Sequence, residues 1–224
     1  MKGDSKVSVR EKFEEDLKDL QGKMLALVQF TDDALVKAME AFQTHNIDLA
    51  LKVMEDDTNA NILYEEINDF AILLIAKQQP VAIDLRRIIV SIKIATDLER
   101  MADFATNIAK STIRIGQEPH IKEANKLIKM YEISSTMLKD AIKAYEQEDL
   151  QLAKKVSEMD DKVDALYGEV IKELFILNNE KGNYDQLVQM LFICRYLERY
   201  ADHITNITEY IFYMIKGKHY DLNE

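Results

Sequence analysis

One eleven-residue stretch occurs twice in this chain, at residues 98–108 and 197–207. Eight of the eleven positions are identical, and they include a Glu, an Arg, an Asp and an Asn as well as apolar residues. On a helix, residues four apart lie in a row along one face, and two carboxylates one turn apart repel each other unless a cation lies near them. A repeat of packing residues alone would not preserve such a row, so its recurrence predicts cation binding. The two rows are Glu99, Asp103 and Asn107, and Glu198, Asp202 and Asn206.

The similarity between the two halves of the chain extends beyond this motif. Of seven residues compared between positions 38 and 64, six recur 103 positions later, whereas the motif recurs after 99 positions. Because a difference of four residues is accommodated more easily in a turn than inside a helix, the halves can share one architecture. We therefore predict an internal duplication, with a first copy at residues 1–117 and a second at 118–224.

The chain contains only six glycines and two prolines among 224 residues, which favours long helices over many short strands. Apolar residues from Ile193 to Met214 alternate steps of four and three, as a buried helical seam requires. We predict an all-α fold of two tandem three-helix bundles. Pro80 should lie in the first turn of the third helix, and Gly116 and Gly217 should end the third and last helices. The predicted helices are 7–42, 47–77, 80–115, 121–145, 150–177 and 185–215.

The middle helix of each copy carries a second candidate row. Asp160 and Asp164 repeat the four-residue carboxylate spacing, and the matching pair in the first copy is Asp57 and Asn61. Carboxylate and carboxamide oxygens suit Mg²⁺, Ca²⁺ or Mn²⁺, and iron where carboxylates bridge several ions. An isolated pair of this kind is usually a solvated helix face, so the metal interpretation depends on the repetition. The spacing relative to the seam places the Glu–Asp–Asn rows on the flank or outer face of their helices.

Composition and missing motifs exclude several classes of function. A net charge of −11 disfavours unaided binding to nucleic acid or to an anionic membrane. The longest apolar run, 70–76, is too short to span a bilayer, and the N-terminal residues lack the apolar segment of a signal peptide, so we expect a cytoplasmic protein. The single cysteine, Cys194, should be a buried and inert thiol.

No catalytic motif accompanies the acidic rows. The sequence lacks a Glu-x-x-His, a glycine-rich phosphate loop and a nucleophile beside a base. His203 corresponds to Phe104 in the first copy, so we expect it in a surface or hydrogen-bond network, whereas His45, His120 and His219 follow no pattern. We therefore predict a protein that is not an enzyme. A metal-buffering bundle and a metal-dependent phosphate-ester hydrolase with a two-metal site remain as alternatives.

Three segments of the first copy and one of the second resemble the PhoU family of phosphate-signalling proteins. They are residues 78–82, 84–89, 92–100 and 195–207. The resemblance implies two three-helix bundles that bind divalent or multinuclear metal (Mg, Mn, Fe or Zn). It implies Glu99, Asp103, Glu198 and Asp202 as the principal ligands, with Asp57, Asp160 and Asp164 contributed by the middle helices. Many members have Gly where this chain has Ala102 and Ala201.

The same resemblance implies a function and partners. Proteins of this family are negative regulators that connect a phosphate ABC transporter, through its ATPase subunit, to a sensor histidine kinase. They hold phosphate-starvation genes off when phosphate is plentiful. We also expect a homodimer, from family habit and from the long apolar-rich first helix.

Overall fold

A computed structural model describes residues 9–117, 119–121, 124–178, 184–218, 220 and 222, in which all regular secondary structure is α-helical. The predicted all-α fold is confirmed, and the second predicted helix is divided into two segments at Asp57. No helix in the described residues has the length and apolar character that a bilayer crossing requires. The helices are α1 (Val9–Thr44), α2 (Ile47–Asp56), α3 (Thr58–Gln78), α4 (Ala82–Ile115), α5 (Ala124–Gln147), α6 (Leu150–Asn178) and α7 (Tyr184–Lys216).

The turn between the first two helices of each copy has the same construction. His45 and Glu148, 103 positions apart, both take left-handed backbone conformations, with φ of 54° and 53°. The next residue then caps the following helix: Asn46 Oδ1 accepts a hydrogen bond from Leu49 N at 3.0 Å, and Asp149 Oδ1 accepts one from Leu152 N at 3.0 Å. The duplication therefore extends to the hydrogen bonds of individual turns.

The helix ends agree with the prediction at the glycines but not at the proline. Gly116 and Gly217 have positive φ, and their N–H groups donate to the carbonyls of the residues four positions earlier, which confirms both as C-terminal caps. The placement of Pro80 inside the third helix is wrong. Gln79 adopts a left-handed conformation (φ 45°) to end α3, and Val81 is extended, so α4 begins only at Ala82.

Helices α4 and α7 pack against each other at the centre of the molecule, α1 packs on α4, and α5 and α6 pack on α7. The order of cross-contacts shows that α4 and α7 are antiparallel. From the start of α4 to its end, the contacts are Arg86 Nε to Met214 O at 3.2 Å, Asp97 to His203 at 2.6 Å, and Phe104 stacked on Tyr196 with ring centroids 6.1 Å apart. Ala102 and Ala201 are buried in this central region.

Cys194 lies in the core of α7, fully buried, with its Sγ 3.8 Å from Met130 Sδ. Burial raises the pKa of its thiol to about 12, so the reactive thiolate is not formed near neutral pH. The prediction that this cysteine is buried is confirmed.

Candidate cation sites at the centre of the molecule

The acidic row of the first copy lies where α4 meets the junction of α2 and α3. The side chain of Glu99 is 16% exposed and that of Asp103 is 39% exposed. Asp57, at the junction, accepts a hydrogen bond from Thr106 Oγ1 at 2.8 Å, which fixes the middle helix against α4. The row therefore lies on a flank of α4, one of the two positions expected from the sequence, but neighbouring helices cover this flank, so that Glu99 is more buried than Asp103.

The electrostatics of the first row are those of crowded carboxylates. Burial raises the pKa of Glu99, and the negative charges of Asp103 and Asp57 raise it further, while Arg100 and His203 oppose the shift. The charge of Asp57 acts on Glu99, so a carboxylate at the α2–α3 junction lies near the row on α4. We call Asp57, Glu99 and Asp103 the first cluster.

The corresponding row of the second copy is more deeply buried. Asp160 on α6 is 6% exposed as a residue, and the side chain of Glu198 on α7 is 12% exposed. Asp202 is half-buried and Asp164 is exposed. Two buried oxygens, Asp160 Oδ1 and Glu198 Oε2, have no hydrogen-bond partner among the described residues. We call these four carboxylates the second cluster.

Burial and mutual repulsion also govern the protonation of the second cluster. The pKa of Asp160 is raised to about 7, first by burial and then by the charges of Asp164 and Asp202, while the Thr205 hydroxyl lowers it. The pKa of Glu198 and that of Asp202 are raised as well, in each case mainly by burial. A positive charge placed between these side chains would relieve both the desolvation and the repulsion.

The two asparagines of the predicted rows make contacts away from the carboxylates. Asn206 Nδ2 donates to Asp97 Oδ1 at 3.4 Å, across the contact between α4 and α7. Asn107 Oδ1 accepts from Lys110 Nζ at 3.5 Å on the same helix. The carboxylates of each predicted row are therefore near enough to raise one another's pKa, whereas the asparagines hydrogen-bond residues outside the rows.

The carboxylates fit a hard cation by chemistry but need rearrangement to hold one. In the part of the chain that the structure describes, no three side chains of His, Cys, Asp or Glu are already arranged around a common metal position. The unpartnered buried oxygens of Asp160 and Glu198 nevertheless suit oxygen-seeking ions such as Mg²⁺ or Mn²⁺.

Sequence reasoning did not identify Asp97 as a partner of His203. Asp97 is 5% exposed, and its Oδ1 lies 2.6 Å from His203 Nδ1. The predicted network role of His203 agrees with this contact. The repeat contained a signal for this contact. Asp97 corresponds to Tyr196 and His203 to Phe104, so the two residues that contact each other both lie at positions where the copies differ.

Two further histidines have specific contacts that no pattern indicated. The rings of His45 and His120 stack with centroids 4.0 Å apart, and His120 Nε2 hydrogen-bonds the carbonyl of Phe42. Gln186 Nε2 of α7 donates to Pro119 O at 3.1 Å, so the segment between the copies is attached to both of them. His219 lies outside the described residues.

Comparison with known proteins places both halves of the chain in one family. The family model described as "PhoU domain" matches residues 24–112 and again residues 127–211. The chain belongs to the PhoU family. The first matched segment includes the acidic row on α4, and the second includes the row on α7. This agrees with the duplication.

Individual PhoU proteins match nearly the whole chain. A protein of Clostridium acetobutylicum named "Phosphate-specific transport system accessory protein PhoU homolog" is 38% identical over 96% of this chain and 99% of its own length. The crystal structure of the phosphate transport system regulatory protein PhoU from Streptococcus pneumoniae superimposes with a TM-score of 0.88 at 28% identity, covering 93% of this chain and 99% of that one. PhoU from Pseudomonas aeruginosa gives a TM-score of 0.87 at 28% identity, covering 92% and 100%. The PhoU resemblance of the sequence is thus confirmed.

Proposed function

We propose that this PhoU-family protein is a negative regulator of phosphate uptake and of the phosphate-starvation response. The main support is that both halves of the chain match the PhoU domain. In addition, a protein named as a phosphate-specific transport system accessory protein matches this chain over nearly its whole length. The absence of a nucleophile–base pair from the sequence supports an accessory protein over an enzyme. We place its work in the cytoplasm, where the ATPase of a transporter and the kinase domain of a sensor are accessible.

The proposed partners are the ATPase subunit of a phosphate ABC transporter and a sensor histidine kinase. Two exposed apolar surfaces support an adaptor with two contacts. The first tip, at the end of α3 and start of α4, exposes Ile72 (60%), Leu73 (44%) and Val81 (68%). The second tip, at the end of α6 and start of α7, exposes Phe175, Ile176, Val188 and Phe192. Because α4 and α7 are antiparallel, the tips lie at opposite ends of the molecule, and exposed apolar patches are common at protein contacts.

We further propose that the two clusters bind divalent or multinuclear metal (Mg, Mn, Fe or Zn). Asp57, Glu99 and Asp103 would hold it in the first copy, and Asp160, Asp164, Glu198 and Asp202 in the second, with Asn107 and Asn206 as marginal oxygen donors. Bound metal would supply the positive charge that these half-buried carboxylates lack. It would also tie the middle helix of each bundle to the third.

The regulatory role is tested by deleting the gene and following a reporter of a phosphate-scavenging gene in medium rich in phosphate. We expect the reporter to be derepressed by the deletion and silenced again by the wild-type gene. A silent reporter would contradict the proposal. Loss of metal tolerance with a silent reporter would favour a metal-buffering bundle, and accumulation of phosphate esters or polyphosphate would favour a hydrolase.

The tips allow a matched test of the partners. We expect I72S/L73S to weaken capture of one purified partner and F175S/I176S to weaken capture of the other, because residues 72 and 73 correspond to 175 and 176 in the repeat. Both substitutions change exposed residues, so helicity by circular dichroism should be unchanged. If neither pair affects either partner, the tips are not the contacts. The expected homodimer is tested separately by sedimentation of the wild-type chain.

A further inference from the structure

The two clusters have different arginines beside their carboxylates. In the first copy, Arg100 lies 3.5 Å from Glu99 Oε2 and 3.3 Å from Asp103 Oδ2. Its counterpart in the second copy, Arg199, lies instead over the ring of Phe104, 5.4 Å from the centroid. The repeat therefore preserves this arginine in sequence but not in its contacts.

In the second copy another arginine contacts the carboxylates. Arg195 Nη1 forms an ion pair with Glu198 Oε1. The guanidinium is also placed over the ring of Tyr167, 5.9 Å from its centroid. The first copy has the corresponding tyrosine, Tyr64, but Thr96 occupies the position of the arginine. The Thr96 hydroxyl donates to Ile92 O within its own helix.

The second cluster has features of a site beyond its acidity. Asp160 is more than nine-tenths buried, and its Oδ1 has no partner among the described residues, as is also true of Glu198 Oε2. Arg195 therefore engages one oxygen of Glu198 while the other remains buried and unpartnered. A cation that reached these two oxygens would come close to the guanidinium.

We propose that Arg195 is the resident counter-ion of the second cluster and competes with metal for Glu198, so that the two clusters differ in metal affinity. This inference rests on the cation binding proposed above. The guanidinium is charged at every accessible pH, and like charges a few ångströms apart repel even near a protein surface. Metal must therefore displace Arg195 or accept its repulsion. The first copy has no arginine at the corresponding position, and Arg100, which contacts Glu99 and Asp103 there, is the more exposed of the two arginines, 58% against 47% for Arg195.

The test uses a protein with one intact cluster. In the E99Q/D103N background, Mn²⁺ titration by calorimetry reports the second cluster alone. We expect R195T, which introduces the first-copy residue, to tighten Mn²⁺ binding by roughly three- to tenfold, the range expected when one nearby like charge is removed. R195K keeps the charge and should stay within about twofold of the background protein. Should R195T fold poorly, R195Q removes the charge while keeping much of the side chain's length.

A structural role for Arg195 predicts a different result. Removing a resident counter-ion should lower the melting temperature of the metal-free protein while increasing the rise in melting temperature caused by Mn²⁺. A residue that acts only through packing would lower the melting temperature without improving binding. Equal Mn²⁺ affinity for R195T and its background would overturn the inference.

The first copy offers the reciprocal experiment. In the E198Q/D202N background, T96R places an arginine beside Glu99 and above Tyr64, and we expect it to weaken Mn²⁺ binding by a similar factor. Unchanged affinity would count against a general counter-ion effect at this position. If neither background binds Mn²⁺ at all, the proposed cation sites themselves are wrong, and this inference falls with them; if both bind it, the arginine effect is judged alone.

Discussion

Asp97 and His203 belong to different copies of the repeat, and they form a partly buried contact between α4 and α7, with Oδ1 and Nδ1 2.6 Å apart. The same carboxylate oxygen accepts from Asn206, and its other oxygen is buried without a partner among the described residues. Burial and the nearby charge of Asp97 also raise the pKa of Tyr210. The packing of one bundle on the other therefore includes a polar contact whose loss removes the closest donor of a buried carboxylate.

We expect H203F, which introduces the first-copy residue, to destabilise the protein by roughly 1–3 kcal/mol because Asp97 loses its closest donor. The double variant D97Y/H203F should lose less than the sum of its single variants, since it reproduces the Phe104–Tyr196 stack found at the equivalent crossing. Urea unfolding of the four proteins measures this coupling. Additive losses would show that the two residues contribute independently.

Asp160 should make the metal-free protein less stable as the pH rises. Its pKa is about 7 in the folded chain and 3.8 in the reference state, so the folded protein binds more protons between these values. The contribution of protonated Asp160 to the free energy of unfolding is complete below pH 3.8 and is lost as the pH rises through 7. We expect D160N to raise the free energy of unfolding at pH 8 by on the order of 1–3 kcal/mol in chelator-treated protein.

A matched variant separates this effect from a general change of charge. Asp161 is the exposed neighbour of Asp160, and D161N should change stability little at either pH. Denaturant unfolding at pH 5 and pH 8 should show a larger gain for D160N at the higher pH. A gain equal at both values would mean that ionisation of Asp160 is not its source.

His120 should give the opposite dependence on pH. Burial lowers its pKa, with the charge of His45 acting in the same direction and the bond to the Phe42 carbonyl opposing it. The histidine therefore binds its proton more readily in the unfolded chain than in the folded one. The contribution of neutral His120 to the free energy of unfolding is complete above pH 6.5, the ordinary pKa, and is lost as the pH falls below it. We expect the difference in unfolding free energy between wild type and H120Q to shrink from pH 8 to pH 5. A difference independent of pH would contradict a buried neutral imidazole.

The two clusters should lose metal separately. We expect E99Q/D103N to remove the metal of the first copy and E198Q/D202N that of the second, because each row stands on its own helix and is completed by its own middle helix. Elemental analysis should show a partial load in each double variant, with helicity retained. A quadruple variant with the full metal load would show that these carboxylates are only a solvated face.

The helices could be predicted because their seams are long and because Gly116 and Gly217 act locally at helix ends. The break at Asp57 could not, since the residues around it include neither glycine nor proline and its side chain bonds Thr106 on another helix. Pro80 was misplaced because the backbone conformation of Gln79 sets where α4 begins. The repeat identified the acidic residues, but their burial depends on how neighbouring helices cover the flanks of α4 and α7. The stack of His45 on His120 depends on the same kind of long-range packing.

The antiparallel pairing of α4 with α7 gives the molecule an approximate twofold axis. Because both halves belong to one chain, their residues need not obey this symmetry. Two separate single-bundle chains packed in this way would form a symmetric dimer, in which every crossing must occur twice with identical residues. A covalently joined pair has no such obligation. Asp97 and His203 meet at one crossing of the two helices, and Phe104 and Tyr196 meet at the crossing related to it by the axis. Because the halves are joined in one chain, their interface can have a polar contact on one side of the axis and an aromatic contact on the other. The two sides of the interface are therefore chemically distinct.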